Sequence, residues 1–177
     1  AEARRGGGAL GAVIDDFKGE VEFRGVRFAY PQREAAVLGG VDFIARPGET
    51  VALIGQSGSG KSTAVQLVER FYDPTTRSAA KDAAKKDASE DLSSILIDGA
   101  RDPAAGCVTV DGVDLRDLDP MWLRTQIGIV EQEPTLFSGS VHENIAAGKG
   151  GAAATRGEVV DAAKIGNAHG FICAMPD

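Results

Sequence analysis

Eight consecutive residues, Gly55-Gln56-Ser57-Gly58-Ser59-Gly60-Lys61-Ser62, satisfy the spacing G-x-x-x-x-G-K-S/T. Glycines at the first, fourth and sixth places let the backbone wrap tightly enough for successive N–H groups to point at phosphate oxygens. The lysine that follows reaches the β- and γ-phosphates, and the next hydroxyl is a hard oxygen ligand suited to Mg²⁺. Thr63 adds a second hydroxyl, placed for the α-phosphate region. A turn with no ligand has no use for a lysine and two hydroxyls at these places. Gly55, Gln56, Ser57, Gly58, Ser59, Gly60, Lys61, Ser62 and Thr63 are therefore the candidate phosphate-binding residues, with Lys61 acting in catalysis and Ser62 on the metal.

Such a loop needs a strand before it and a helix after it. Val51-Ala52-Leu53-Ile54 is a continuous apolar run, the pattern of a strand buried on both faces, and Ala64, Leu67, Val68 and Phe71 recur at helical spacing from Lys61 onward. The helix then places its positive dipole end beneath the phosphates. Upstream, Val21-Glu22-Phe23-Arg24, Val26-Arg27-Phe28 and Val41-Asp42-Phe43-Ile44 alternate apolar and polar, which predicts short antiparallel strands with one solvated face. Downstream, Asp111-Gly112 between Val108-Thr109-Val110 and Val113-Asp114-Leu115 predicts a two-residue hairpin, and Ile127-Gly128-Ile129-Val130 reads as another buried strand. Ser140 with Glu143 and Thr155 with Glu158 form capping boxes, so the second half is mostly helical. Residues 1–19, rich in Gly and Ala, read as a linker or arm, with ordered structure expected from Glu20. Residues 77–105 are rich in Ala, Lys, Asp and Ser, with Leu92 and Ile95-Leu96-Ile97 their only apolar cluster, and read as a flexible insertion.

Composition removes several alternatives. The chain has 177 residues, with 19 Lys+Arg against 26 Asp+Glu and a net charge of -7, so no positive field exists to replace counterions along a nucleic-acid backbone. Hydrophobic residues make up 43%, enough for one domain with a core, yet no run of 18 apolar residues occurs, and the chain is expected to be soluble by itself. Cys107 and Cys173 lack C-x-x-C spacing and read as buried thiols in a reducing compartment, while His142 and His169 read as ordinary polar positions near helix ends. The absence of an initiator Met and of a cap after the last helical stretch predicts a fragment.

The chain around the loop resembles the nucleotide-binding domain of ABC transporters, in the exporter group that includes multidrug-resistance and antigen-peptide transporters. Phe28-Ala29-Tyr30-Pro31 is similar to the family's A-loop, whose ring stacks on adenine, and Arg33 follows as in Y-P-x-R exporters, where it helps hold the nucleotide. Ile127 to Phe137 is similar to the Q-loop, with Gln132 as the amide that ligates Mg²⁺ and orients the attacking water. Asp119-Pro120-Met121-Trp122-Leu123-Arg124 and Ser138-Gly139-Ser140-Val141-His142-Glu143-Asn144-Ile145 extend the likeness, which covers 20–76 and 106–177.

The resemblance implies an α/β fold, a P-loop NTPase of the ABC ATPase type with an antiparallel β subdomain, incomplete at the C-terminus, with a partial ATP-binding domain over 20–177. It implies ATP and Mg²⁺ as cofactors, and a second nucleotide-binding domain and transmembrane domains as partners, with no nucleic acid. ATP hydrolysis drives export in the complete parent, from the cytosolic or matrix side of a membrane. Two departures stand out. The segment 77–105 interrupts a connection that is usually short, and LSGGQ and an Asp-Glu Walker B pair do not occur; Ser94-Ile95-Leu96-Ile97-Asp98 looks like a Walker B strand, but Gly99 stands where the glutamate belongs. A non-hydrolysing nucleotide-binding module and a soluble P-loop ATPase, of DNA repair or of the small-molecule kinase kind, are the alternatives.

Overall fold

A computed structural model describes residues 3–5, 11–30, 35–75, 103–131, 133, 135–149 and 154–175. Most of the segment 77–105, with its expected flexibility and its Walker B lookalike, lies outside the described residues. The chain divides into two compact units, 1–128 and 129–177.

The first unit is organised by β3 (Val21–Phe28), which β4 (Leu38–Ala45) flanks on one edge and β5 (Cys107–Val110) on the other. Both of these pairings are antiparallel, with Phe23 opposite Phe43 in β4 and opposite Val108 in β5. A strict two-residue alternation from Phe23 would turn Val26 and Phe28 outward. The register shifts between Phe23 and Val26, Gly25 takes φ 57, and its N–H donates to Asp42 Oδ1 at 2.6 Å. This bulge resets the phase, so Phe23, Val26 and Phe28 all reach the core. Cys107 is half-buried in β5, so its expected burial is only partial.

β5 turns into β6 (Val113–Asp114) through Asp111 and Gly112, at φ 49 and 80. Two successive positive φ values are those of the hairpin turn that the Asp-Gly pair predicts. The Asp111 side chain also ties down the chain entering β3, because its carboxylate accepts from the backbone N–H groups of Lys18, Gly19 and Glu20 at 2.7, 3.2 and 2.9 Å. Partial burial pushes that carboxyl up, and the three donors more than reverse it, leaving it below its ordinary range.

Helix α1 (Lys61–Val68) buries Thr63, Ala64 and Leu67 against this sheet and stops short of Phe71, whose ring is exposed beneath the Arg124 guanidinium. The chain reverses at Arg70, φ 53, and the Arg70 side chain runs inward. It donates to Leu118 O at 2.6 Å and Arg116 O at 3.3 Å and pairs with Asp73 at 3.3 Å. Burial pushes the Asp73 carboxyl up, against the pull of the Arg70 charge. Helix α2 (Pro120–Thr125), capped by Asp119 with Pro120 at its first position, sends Arg124 back to Glu69 O at 3.2 Å and Arg70 O at 2.9 Å.

Several expectations of organisation need correction. The described part of 1–19 is not merely an arm: β1 (Ala3–Arg5) pairs with β2 (Ala12–Ile14), Ile14 enters the core, and the Phe17 ring meets Trp122 edge-on at 5.7 Å. Two apolar anchors suffice to dock a segment whose average composition is that of a linker. The runs 51–54 and 127–130, read as buried strands, form no strand here, and Ile54 and Val130 are 94% and 99% exposed. A strand buried on both faces requires pairing neighbours, and the described residues supply none beside either run.

The second unit is helical: α3 (Val141–Ala146), α4 (Arg156–Ile165) and α5 (His169–Cys173). Both predicted capping boxes close, Ser140 with Glu143 and Thr155 with Glu158. Lys149, then the backbone and hydroxyl of Thr155, hold the Glu158 carboxyl down to about 2. Ala146, Val159 and Ala163 are buried, whereas Cys173 is exposed beside His169, correcting the expected buried thiol.

Asp111→Asn keeps the turn's tolerance of positive φ but removes the charge from three hydrogen bonds. It should cost about 1 kcal/mol, reduced from the 1.5–3 usual for charged acceptors because the carboxylate is partly exposed. The native group's pKa is lowered on folding, so its contribution is complete above about pH 4 and lost as pH falls through the lowered value. Urea midpoints of parent and variant should differ near neutrality and converge in acid; a constant difference would show that the charge is not responsible. The exposed runs generate a second expectation. The 177-residue chain should bind an apolar fluorescent dye, and Ile54→Lys with Val130→Lys should reduce that binding; unchanged dye fluorescence would mean these runs are covered in solution.

Candidate functional site

The loop from Gly55 to Ser62 lies at the exposed entrance to α1. Gly58 and Gly60 take φ values of 80 and 94, a region that side-chain-bearing residues rarely enter. Gly60 is crowded as well, since a Cβ there would meet Leu38 Cδ2 at 2.6 Å. It is the N-cap of α1, so the helix has no side-chain cap hydrogen bond, and its first turn carries no acidic residue. The leading N–H groups of α1 therefore stay available to an anion, with the helix dipole favouring negative charge.

Lys61 folds over this entrance. Its ammonium donates to Gly55 O and Gln56 O, each at 2.8 Å, and approaches Ser59 Oγ at 3.4 Å. Among the described residues it forms no ion pair, so its charge is held by neutral carbonyls that a phosphate can replace. Ser59 N donates to Gln56 O at 3.2 Å, closing the loop into a turn. Ser62 is exposed at the second position of α1, its hydroxyl the kind of hard donor that Mg²⁺ accepts among waters and phosphate oxygens. No cluster of three or more His, Cys, Asp or Glu able to hold a metal occurs among the described residues.

Tyr30, two residues past the end of β3, comes to the same helix. Its hydroxyl lies 3.1 Å from Thr63 Oγ1 and donates to Gln66 Oε1 at 2.8 Å. Edge-on contacts with Phe28 at 4.8 Å and Tyr72 at 5.3 Å hold its ring. Because the single Tyr30 proton goes to Gln66, the Thr63 hydroxyl is the donor in the other bond. The structure thus brings together Tyr30, the glycine loop, Lys61, Ser62 and Thr63. Arg33 and Gln132 lie outside the described residues. Gln66 and Tyr72 escaped the sequence reading, although Gln66 stands three residues after Thr63 and so shares its helix face.

A family model described as ABC transporter matches residues 38–95. The chain is 40% identical over 168 residues to "ABC transporter B family member 2" of Dictyostelium discoideum, covering 94% of this chain and 10% of that protein. It is 42% identical over 169 residues to "Multidrug resistance protein 3" of Entamoeba histolytica, covering 94% of this chain and 11% of that one. Among solved structures, a bacterial Atm1-family ABC exporter with ATP bound matches with a TM-score of 0.71 and 32% identity, over 95% of this chain and 24% of the other. The chain thus spans about a tenth of the length of the curated relatives it matches. The likeness to ABC transporters thus runs through nearly the whole of this chain, in sequence and in fold, with the ABC transporter family model matching its residues 38–95.

Proposed function

We propose that the chain binds Mg-ATP and that, in the complete parent, hydrolysis of that ATP drives export across a membrane. The observation that carries this reading is the convergence on α1: an uncapped helix entrance, a lysine held by neutral loop oxygens, and a tyrosine hydrogen-bonded to the same helix. Lys61 binds the β- and γ-phosphates and neutralises charge as it develops on the transferred group. Gly55 to Gly60 cradle the phosphates through their N–H groups. Ser62 takes the Mg²⁺ that accompanies them, and Thr63 offers its backbone N–H. Tyr30 receives the adenine on its ring, worth about 1–3 kcal/mol as a stacking contact, and Arg33 assists. Gln132 orients the attacking water and completes the metal's oxygen ligands.

A second copy of the domain and the transmembrane domains are the partners, and the membrane association of this domain comes through the parent. No helix among the described residues is long and apolar enough to cross a membrane.

Lys61→Ala should abolish detectable ATP binding by calorimetry, because it removes the cation directed at the phosphates. Unchanged affinity would show that the loop is not a nucleotide site. Binding without turnover is the further expectation for the 177-residue chain, since phosphoryl transfer depends on positioning a water and LSGGQ and the Asp-Glu pair are absent from its sequence. Steady phosphate release by the purified chain, lost in Lys61→Ala, would contradict this and return Asp98 to consideration as a metal ligand.

A further inference from the structure

Stacking on a tyrosine contributes most while the ring is held at one angle, because a ring free to swing loses in ordering entropy part of what the base contributes in contact. Tyr30 is held at both ends. Phe28, buried in β3, and Tyr72, after α1, meet the ring at interplanar angles of 86° and 89°. The far end is fixed by the hydroxyl, which donates to Gln66 Oε1 at 2.8 Å and lies 3.1 Å from Thr63 Oγ1. Thr63 is buried and Gln66 half-buried, so neither partner is a freely rotating surface group.

We propose that Gln66 is a positioning residue for the nucleotide base: by accepting from Tyr30, with Thr63 donating to it, Gln66 locks the ring to the helix that carries Lys61 and Ser62 at its start. The proposal rests on the reading of Tyr30 as the base-stacking residue. One rigid segment then sets the distance between the base end and the phosphate end of the ligand, although Tyr30 and Lys61 lie 31 residues apart in sequence. Gln66 touches neither end itself. The amide oxygen, and not the bulk of the side chain, is what the function needs.

Two probes separate this role from a general effect on α1: ATP, which has both ends, and inorganic tripolyphosphate, which has only one. Gln66→Leu keeps the volume and the helix propensity and removes the acceptor. It should weaken ATP about three- to tenfold by calorimetry while leaving tripolyphosphate unchanged. Tyr30→Phe, which keeps the ring and loses the hydroxyl, should do the same, and the double variant should be no weaker than either single one. Gln66→Glu restores an acceptor, so its ratio of ATP to tripolyphosphate affinity should return to that of the parent. Tyr30→Ala supplies the control for the underlying reading. If Tyr30→Ala leaves ATP affinity unchanged, the base-stacking role fails and the proposal fails with it. If Tyr30→Ala weakens ATP but Gln66→Leu does not, the stacking role stands and the proposal is overturned. Equal weakening of both ligands by Gln66→Leu also overturns it, because that result describes damage to the helix.

Discussion

The Arg70 guanidinium is the charge on which the site's geometry depends. It sits inside the protein at the point where the chain leaves α1 in a left-handed turn, and it is satisfied by two carbonyls, Leu118 O and Arg116 O, and by Asp73. A buried cation is tolerated only when its donors are met, and meeting them fixes where those carbonyls lie. The connection between β6 and α2 is therefore drawn onto the end of α1. Arg124 answers from α2 by donating to Glu69 O and Arg70 O, two carbonyls that the end of the helix leaves without intrahelical partners. The far end of α1 is thus anchored by arginines, and its near end stays open to an anion.

This polarity explains how a short helix serves two purposes. Packing of Ala64 and Leu67 into the core holds its axis against the sheet, and the arginine contacts hold its C-terminal end. Residues on the remaining faces are then left for the proposed site: Lys61 and Ser62 at the start, and Thr63 with Gln66 bonded to Tyr30. Arg116 is tied to Asp114 by its own side chain as well, so the strap that Arg70 grips is itself braced.

Much of this was legible in the sequence, for local physical reasons. The glycine loop, the Asp-Gly turn and the two capping boxes are each determined by a few neighbouring residues, and each is found where spacing placed it. What depended on distant parts of the chain was not legible. Arg70 reads as a surface charge until a fold brings two carbonyls to it from more than forty residues away. Gln66 reads as one more polar helix residue until Tyr30 arrives. The bulge at Gly25 hides in an imperfect alternation that looks like two short strands. The apolar runs 51–54 and 127–130 mislead in the opposite direction, since their composition records a buried setting that the described residues do not provide.

The pairing of β3 with β5 carries a kinetic consequence. Val21 and Val110 are partners, so the central sheet forms only when a loop of about ninety residues closes, and that loop contains α1 and the whole of 77–105. Closure entropy grows with the logarithm of length, so roughly thirty additional residues cost only about 0.3 kcal/mol. The pairing also raises the mean sequence separation of contacts in the first unit, whereas the second gets its order from caps and helices formed by near neighbours. The two halves should consequently become ordered on separate timescales, with the helices of 129–177 forming early and the glycine loop last, once β5 has reached β3 and Arg70 has found its carbonyls.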